Sequence, residues 1–161
     1  MEKLLKSYRI FKDIHLKTAN TGYGASLYPG RWNHRNVPLL YSAGTLSLSC
    51  LEIVVNANVP GLLDNYLFVE YQFKESFVKT IDIKDFPPDW MASPPSNITR
   101  DIGDQWIKSN KSAVLRVPSS IIPLEYNYLI NPNHSDFINI TKSQADKFIF
   151  DDRLFQVPPG A

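Results

Sequence analysis

Three side chains of different chemistry follow one another within residues 30–55. Arg31 leaves a Pro-Gly turn, Tyr41 ends a short apolar strand, and Glu52 is a lone acid in an apolar stretch. A guanidinium binds phosphate through parallel donors, and an aromatic face packs against a flat ring. A carboxylate stabilises positive charge that emerges during a reaction. Together the three types suit a phosphate-containing substrate with a flat ring, on which a cation develops.

Each of these side chains also has an ordinary structural interpretation. Arg31 could be a surface arginine or pair with a structural carboxylate, and Tyr41 could belong to the core. Glu52 could pair with a lysine on a helix surface. The hypothesis of a site therefore depends on the combination of the three side chains.

The helix expected from about Thr45 to Asn58 gives Glu52 an unusual position. At about 100° per residue, Thr45, Ser49, Glu52 and Asn56 fall in one narrow polar strip, while apolar residues cover most of the remaining circumference. A helix that is apolar nearly all round is mostly buried. We therefore expect Glu52 at the edge of the interior, facing a thin line of solvent or a cleft. A carboxylate in such a place needs hydrogen-bond partners or has a catalytic role.

The elements around these residues are mostly strands. A second helix is expected from about Asn97 to Asn110, capped at Asn97 or Thr99, and the Pro-rich segment Asp85–Ser96 is predicted to be an irregular surface connection. Alternating or β-branched runs predict seven strands: Tyr8–Phe11, Leu39–Ser42, Tyr66–Phe73, Val78–Ile83, Ala113–Val117, Tyr126–Ile130 and Lys147–Phe150. Many strands and few helices favour an α+β fold over a doubly wound parallel sheet.

Length and composition limit the class of protein. The chain has 161 residues, which suggests one domain spanning 1–161, and its 43% apolar and 20% charged residues are typical of a soluble globular protein. The net charge of +1 gives no support for a nucleic-acid-binding surface. No apolar run approaches the roughly 20 residues of a membrane span. A single cysteine, Cys50, and a start unlike a signal peptide indicate the cytoplasm.

Common catalytic and ligand-binding motifs do not occur in the sequence. The three histidines, His15, His34 and His134, are far apart, and with one cysteine they offer no metal-ligand spacing. No phosphate-binding loop, dinucleotide fingerprint or nucleophile elbow is found. We therefore expect neither a metal nor a prosthetic group.

The chain resembles the RES-domain family, named for its arginine, glutamate and serine, over nearly its whole length. The order GRWN, LYS…LE, VPS and NxxxNPxH is specific to it. The matching segments are YRI (Tyr8–Ile10), GYGASLYPGRWN (Gly22–Asn33), PLLYSAGTLSLSCLEIVV (Pro38–Val55), LRVPSS (Leu115–Ser120), EYNYLINPNH (Glu125–His134) and FDDRLF (Phe150–Phe155).

This resemblance implies a fold, an activity and a partner. RES proteins are toxins of bacterial toxin–antitoxin modules, with a fold similar to ADP-ribosyltransferases of the diphtheria-toxin type, here a compact domain of mostly antiparallel sheets with a few helices. They degrade NAD⁺ or transfer its ADP-ribose. Their partner is an Xre/MbcA/ParS-type antitoxin that obstructs the active site. The resemblance thus implies a hetero-oligomeric complex that binds nucleic acid only through the antitoxin and does not bind a membrane.

The family's site residues carry over at the matching motifs. Arg31 of GRWN matches the arginine, Tyr41 of LLYS the tyrosine and Glu52 of LSCLE the glutamate. The serine is Ser119 or the adjacent Ser120, and we take Ser119. Arg9 of YRI matches a recurring basic position and is a weaker candidate for NAD⁺ binding.

The sequence departs from the family pattern at two places, and two further matches lie outside the proposed site. The departures are at His34-Arg35, where many relatives have proline or glycine, and at Ser135, commonly proline. Asn127 and His134 fit the pattern, and we interpret them as scaffold or as supporting residues.

The chemistry of NAD⁺ explains why one carboxylate suffices. Nicotinamide departs neutral, so no general acid is required, and cleavage leaves an oxocarbenium-like positive charge on the ribose. Glu52 would stabilise that charge, Arg31 would hold the pyrophosphate, and Tyr41 would pack against nicotinamide or its ribose. Ser119 would position the ribose or orient Glu52.

The acceptor of ADP-ribose separates the remaining alternatives. Arginine-directed transferases commonly carry a second acid two places before the catalytic one, and here Cys50 stands there. This favours water as the acceptor, so we expect NAD⁺ cleavage to nicotinamide and ADP-ribose, with growth arrest through NAD⁺ depletion. The first alternative is a protein ADP-ribosyltransferase with a specific target. The second is a catalytically silent domain that serves only as a repressor partner.

Overall fold

The computed structural model describes residues 1–56 and 65–155, and most of these residues pack around one sheet. The sheet has the order β4-β5-β6-β2-β1-β3-β7, with β8 also paired to β3. Its strands are β1 (Leu4–Lys12), β2 (Leu40–Ala43), β3 (Tyr66–Lys74), β4 (Val78–Thr80), β5 (Val114–Pro118), β6 (Tyr126–Ile130), β7 (Thr141–Lys142) and β8 (Asp146–Phe148). Within these ranges β4 and β5 are parallel and the other pairs antiparallel. The α+β prediction is confirmed.

The helices within the described ranges are few and short. The α-helices are α1 (Tyr23–Leu27), α2 (Leu46–Asn56) and α3 (Asn97–Ser109), and the 3₁₀ turns are Asp13–Thr18, Glu75–Phe77, Ile83–Asp85, Ser135–Asn139 and Asp152–Phe155. Every helix in residues 1–56 and 65–155 is too short or too polar to cross a bilayer.

All seven predicted strands are present, six of them with shifted ends. Tyr126–Ile130 has the predicted bounds, whereas the predicted Val78–Ile83 stops at Thr80. The chain turns there because the carboxylate of Asp82 accepts a hydrogen bond from the Lys84 amide at 3.1 Å, which starts a 3₁₀ turn. The eighth strand, β7, was not predicted, because two residues are too few to show a periodicity.

The central strands separate two of the buried apolar clusters from each other. Leu39 and Leu40 are adjacent in sequence and fully buried, but they belong to different clusters, and Tyr128 and Leu129 divide in the same way. Side chains alternate between the faces of a strand, so the sheet between β5 and β2 has apolar residues on both sides. This double burial holds β2 and β6 firmly beneath the site.

Helix α2 is less buried than predicted. Thr45 caps it, accepting a hydrogen bond from the Leu48 amide at 3.1 Å, and the helix ends at Asn56, while positions 57 and 58 of the prediction lie outside the described residues. Only Leu48 and Ser49 are buried, and Val55 is 61% exposed. The expectation of a mostly buried helix is wrong, because most apolar side chains of α2, such as Ile53 and Val54, are only partly buried where they pack against the neighbouring apolar cluster.

Helix α3 is present as predicted, but its cap is not. The N-cap residue is Ser96, so the predicted cap at Asn97 or Thr99 is wrong. Thr99 is fully buried inside the first turn, and its hydroxyl donates to the carbonyl of Ser96 at 3.0 Å. The cap lies one residue earlier because Ser96 has extended backbone angles, as N-cap residues do.

The connection Asp85–Ser96 is irregular, as predicted, but it is not confined to the surface. Phe86 and Trp90 are 8% and 5% exposed. The ring of Phe86 lies 5.2 Å from that of Trp32 and 5.5 Å from that of Trp90, between ring centroids. Burial of these aromatic rings fixes the segment over the turn that carries Arg31.

Candidate active site

The turn that carries Arg31 is organised by a buried asparagine. Asn33 is fully buried, and its Oδ1 accepts hydrogen bonds from the Gly30 amide at 3.0 Å and the Tyr41 hydroxyl at 2.7 Å. Its amide nitrogen donates to three main-chain carbonyls, those of Ala25 at 2.7 Å, His34 at 3.0 Å and Val37 at 3.2 Å. One side chain therefore serves a turn that has no regular backbone pairing, which is why GRWN needs its asparagine.

Tyr41 supports the same turn from β2. Its hydroxyl donates to Asn33 and accepts from the Trp32 amide at 3.0 Å. Burial raises the pKa of Tyr41 far above its usual value, so the phenol stays neutral. A Cβ on Gly30 would lie 2.5 Å from the Tyr41 hydroxyl oxygen, so only glycine fits there. The hydroxyl of Tyr41 is therefore structural, and its ring is the part that remains for contact with a ligand.

Helix α3 fixes the turn from the other side. A Cβ on Gly103 would overlap the carbonyl oxygen of Trp32, so glycine lets the helix touch the turn directly. Arg100 donates through Nε to the Gly30 carbonyl at 3.1 Å. The carboxylate of Asp104 accepts from the His34 amide at 3.1 Å and lies 2.8 Å from its Nδ1. Sequence reasoning missed this role of α3, although a glycine inside a helical pattern was a signal for it.

Arg31 is held through one of its terminal nitrogens. Nη1 donates to the carbonyls of Trp90 at 2.5 Å and Ala92 at 3.0 Å, which uses both of its hydrogens. Burial lowers the pKa of Arg31, while the charge of Glu52 opposes that shift. Within residues 1–56 and 65–155, Arg31 forms no ion pair. The edge formed by Nε and Nη2 is the side of a guanidinium that binds phosphate in two-point fashion.

Glu52 is anchored by two donors on one oxygen. Oε1 accepts from the Ser119 hydroxyl at 3.1 Å and from the amide nitrogen of Asn127 at 2.7 Å. Ser119 follows β5 and Asn127 lies in β6, so α2 is joined to two neighbouring strands through this carboxylate. Oε2 has no hydrogen-bond partner within the described residues, and this oxygen can meet a ligand.

Ser119 uses all the hydrogen-bonding capacity of its hydroxyl. It is fully buried, and Oγ accepts from the amides of Ile121 at 3.1 Å and Ile122 at 3.2 Å while it donates to Glu52. A hydroxyl has one hydrogen and two lone pairs, so Ser119 has none left for a ribose. Ser120 is half-buried and has no side-chain hydrogen bond in the described part of the chain. Ser119 is thus the serine that orients Glu52.

The two halves of the site lie on one face of the sheet. Tyr41 is paired with Leu129, and Ala43 with Asn127, in the antiparallel register of β2 and β6. Residues two apart on a strand point to the same side, so the ring of Tyr41 and the amide of Asn127 share a face. Glu52 also raises the pKa of Arg31, so the carboxylate lies close enough to the GRWN turn to act on that guanidinium.

Arg9 contacts the main chain of Tyr41 and not the side chains of the other candidate residues within the described ranges. Its Nη1 donates to the main-chain carbonyl of Tyr41 at 3.0 Å, and its Nε is buried with no partner within the described residues. Burial lowers the pKa of Arg9. The guanidinium therefore ties β1 to β2, which share a single register pair, Tyr8 with Ala43. Contact of Arg9 with NAD⁺ stays a prediction.

His134 has structural contacts. Its Nε2 lies 3.1 Å from the carbonyl of Asn110, and its Nδ1 accepts from the Asp136 amide at 3.1 Å. These contacts link the 3₁₀ turn Ser135–Asn139 to the end of α3. Asn127, in contrast, donates a hydrogen bond to Glu52. The sequence motif contains both Asn127 and His134 and gave no reason to assign them different roles.

An apolar groove of about 390 Å³ lies on the far side of α2. Its lining includes Leu46 and Cys50, which lie about 120° and about 160° from Glu52 around the helix at about 100° per residue. The other lining residues are Ser47, Phe148, Ile149, Phe150, Asp151 and Leu154. Burial raises the pKa of the Cys50 thiol. The groove is separate from the candidate site.

Besides the ring of Tyr41, the Nε–Nη2 edge of Arg31 and Oε2 of Glu52 have no hydrogen-bond partner in the described part of the chain and can meet a ligand. Residues 1–56 and 65–155 contain no cluster of three or more His, Cys, Asp and Glu side chains arranged to hold a metal ion. A cation on one side and an anchored carboxylate on the other fit a substrate with a phosphate group and a developing positive charge.

Three comparisons relate this chain to known proteins. "Toxin Res" of Yersinia enterocolitica is 36% identical over 148 residues, covering 91% of this chain and 97% of that protein. "Prs ADP-ribosylating toxin" of Sphingobium sp. is 34% identical over 154 residues, covering 92% and 96%. The solved M. tuberculosis MbcT-MbcA toxin-antitoxin complex matches in fold, with a TM-score of 0.74 at 14% identity, over 96% of this chain and 88% of that chain.

The family model described as the RES domain matches residues 6–151. That range contains the GRWN turn, the α2 carboxylate and the two donors that anchor it. The resemblance seen in the motifs is thereby confirmed. This chain belongs to the RES domain family.

Proposed function

We propose that this protein is the toxin of a toxin–antitoxin pair and that it cleaves NAD⁺ to nicotinamide and ADP-ribose. Relatives that cover almost the whole chain are named as toxins, one of them as ADP-ribosylating. The observation that carries the proposal is the carboxylate of Glu52, held at Oε1 by Ser119 and Asn127 while Oε2 has no hydrogen-bond partner among residues 1–56 and 65–155. A single oriented carboxylate is what cleavage of a bond to a cationic leaving group requires.

The proposed reaction breaks the bond between the ribose carbon and the nicotinamide nitrogen. The electron pair leaves with nicotinamide, which departs neutral, and positive charge develops on the sugar. Oε2 of Glu52 stabilises this charge. Water then adds its oxygen to the ribose carbon and releases a proton, so NAD⁺ and water give nicotinamide, ADP-ribose and one proton.

Arg31 would hold the pyrophosphate of the substrate. Its Nη1 is occupied by the carbonyls of Trp90 and Ala92, so the guanidinium keeps its direction before substrate arrives. Preorganised donors of this kind save the cost of ordering a flexible side chain on binding. The Nε–Nη2 edge then meets the phosphate oxygens as a planar fork.

Tyr41 would contribute its ring to the nicotinamide end of the site. Its hydroxyl is engaged by Asn33 and Trp32, and the phenol is neutral, so it supplies neither a proton nor a charge. A neutral aromatic face suits the packing of the nicotinamide ring or its ribose.

The second candidate function is transfer of ADP-ribose to a protein target. It is favoured by the name of the Sphingobium relative, "Prs ADP-ribosylating toxin". The same site would serve, because both reactions share the oxocarbenium-like state and differ only in the acceptor. Cys50 occupies the place of the second acid that arginine-directed transferases carry, so arginine is disfavoured as the acceptor.

An antitoxin of the Xre/MbcA/ParS type would silence the enzyme by obstructing the region between Arg31 and Glu52. The structural neighbour was solved as a toxin-antitoxin complex, and an enzyme that consumes NAD⁺ must be inactive in a growing cell. The protein would act in the cytoplasm, within a hetero-oligomeric complex.

The test is nicotinamide release by the purified protein from NAD⁺ labelled in the adenosine part. We expect nicotinamide and free ADP-ribose in equal amounts, and a rate of release lowered on the order of 10²- to 10³-fold with Glu52→Gln. Label on a protein band in place of free ADP-ribose would favour the transferase. Absence of nicotinamide release from folded wild-type protein, with and without cell extract, would contradict both functions.

A further inference from the structure

Asn127 shares with Ser119 the task of holding one oxygen of Glu52. We propose that Asn127 is a positioning residue of the reaction: with Ser119 it fixes Oε1, which makes Oε2 the oxygen that meets the substrate. This inference rests on the proposed function, in which Glu52 is the reacting carboxylate. It goes further by assigning a role to a residue of β6 and by distinguishing the two carboxylate oxygens.

The contact between Asn127 and Glu52 is the shorter of the two that hold Oε1, at 2.7 Å against 3.1 Å for Ser119. The direction of the amide is not arbitrary, because an ionised carboxylate only accepts hydrogen bonds and the NH₂ group must face it. A hydrogen bond to a charged acceptor is stronger than a neutral one. Asn127 therefore holds Glu52 at least as firmly as the family serine does.

The backbone holds both donors rigidly. Asn127 lies in a central strand, paired with Ala43 on one side and with Val117 on the other. Ser119 follows β5, and its amide donates to the carbonyl of Glu125 at 2.9 Å, which closes the loop between β5 and β6. Asn127 thus lies in a strand and Ser119 directly follows the adjacent strand, and such positions place a side chain more accurately than a free loop.

The other end of the Asn127 amide shows that this residue is not optimised for stability. Its Oδ1 is buried with no partner within the described residues, and a buried acceptor without a hydrogen bond is destabilising. A smaller side chain would remove this unpaired oxygen. The presence of asparagine is then explained by its NH₂ group, which in the described part of the chain donates its hydrogen bond to Glu52.

Two donors on one oxygen restrict rotation of the carboxylate about its last bond. That torsion is broad and roughly two-fold in an unrestrained glutamate. Loss of one donor leaves Glu52 attached to Ser119 alone, so the carboxylate plane can swing and Oε2 loses its fixed direction. Small displacements of a reacting group lower the rate strongly while substrate binding is little affected.

The test is a double-mutant cycle with single-turnover nicotinamide release as the readout. The variants are Asn127→Ala, Glu52→Gln and their combination, with Asn133→Ala as the matched control because Asn133 is exposed and its side chain has no hydrogen bond in the described part of the chain. We expect Asn127→Ala to lower kcat on the order of 10- to 100-fold with KM within a few-fold of wild type. In the Glu52→Gln background the same substitution should lower kcat no further, because a positioning residue acts through its partner.

Asn127→Asp provides a second variant of the same shape that lacks the donor. If Asn127→Ala does not fold, this variant decides the question, and its control is Asn133→Asp. We expect kcat to fall at least as far as in Asn127→Ala, because two carboxylates would then face each other. Thermal unfolding should leave the Asn127→Ala midpoint close to that of wild type.

The possible outcomes distinguish failure of the positioning role of Asn127 from failure of the proposed NAD⁺ cleavage. Active wild type with unchanged kcat in the Asn127 variants would overturn the positioning role and leave the proposed function intact. An equal loss of kcat with and without Glu52 would also overturn it, since that pattern indicates a general structural role. Wild-type protein that releases no nicotinamide would overturn the proposed function, and the positioning role with it.

Discussion

Glu52 acts electrostatically on Arg31, but the two side chains do not form an ion pair. The carboxylate raises the pKa of the guanidinium against the lowering effect of burial, yet each group takes its hydrogen bonds elsewhere. Arg31 donates to the carbonyls of Trp90 and Ala92, and Glu52 accepts from Ser119 and Asn127. Because neither charge neutralises the other, both are available to a substrate that carries a phosphate at one end and a developing cation at the other.

Glu52→Gln should abolish most of the turnover and leave binding intact. The substitution keeps the size of the side chain and removes the charge that would stabilise the oxocarbenium-like state. Loss of such an electrostatic contact typically lowers the rate on the order of 10²- to 10³-fold. The measurement is single-turnover nicotinamide release at saturating NAD⁺. A rate within a few-fold of wild type would assign Glu52 to structure.

Arg31→Lys should weaken NAD⁺ binding although the positive charge is kept. An ammonium cannot bond the carbonyls of Trp90 and Ala92 and present a planar fork to phosphate at the same time. Hydrogen bonds to charged groups are worth about 1.5–3 kcal/mol, so KM should rise on the order of 10- to 100-fold. Initial rates across a range of NAD⁺ concentrations measure this, and an unchanged KM would count against phosphate binding by Arg31.

Ser119→Ala should lower both stability and kcat, whereas Ser120→Ala should change neither. Alanine at 119 leaves the amides of Ile121 and Ile122 without their acceptor and removes one donor from Glu52. We expect a loss of about 1–3 kcal/mol in the free energy of unfolding and a lower kcat. Ser120→Ala should resemble wild type in both. Chemical denaturation and nicotinamide release are the measurements, and the opposite order would make Ser120 the functional serine.

Gly103→Ala should disturb the site from a distance. The added Cβ would overlap the Trp32 carbonyl and push α3 away from the turn that carries Arg31. Overpacking of this kind costs about 1–3 kcal/mol of stability, and activity should fall with it. Gly24→Ala is the matched control, since nothing lies within 4 Å of its added Cβ. The thermal unfolding midpoint of Gly103→Ala should be lower than that of Gly24→Ala. Equal midpoints would mean that α3 can shift away from the turn without loss of stability.

Expression of the protein without an antitoxin should stop growth and lower cellular NAD⁺. Expression of Glu52→Gln at the same soluble level is the control and should do neither, because it lacks turnover. Growth curves with NAD⁺ measured in extracts test this. Normal growth and unchanged NAD⁺ with soluble wild-type protein would contradict the toxin proposal.

The local elements could be predicted from the sequence because their signals are local. Alternation of side chains located all seven predicted strands, and the bounds of Tyr126–Ile130 were correct. The periodicity of α2 placed Glu52 in a polar strip, and the GRWN motif singled out Arg31. The family motifs also identified Ser119 as a candidate, without giving its contact to Glu52. These features depend on residues only a few positions apart, which is the range over which backbone geometry sets a pattern.

The tertiary structure decided which of these elements meet. The contacts of Glu52 with Ser119 and Asn127 span 67 and 75 positions of sequence. The hydrogen bond from Arg31 to the carbonyl of Trp90 spans 59 positions. The partial exposure of α2 likewise depends on how much of its surface the sheet covers. Strand order and packing fix these contacts, and no local periodicity encodes them. The sequence therefore supplied the reacting groups, while the packing of α2 and α3 on the sheet gave them their directions.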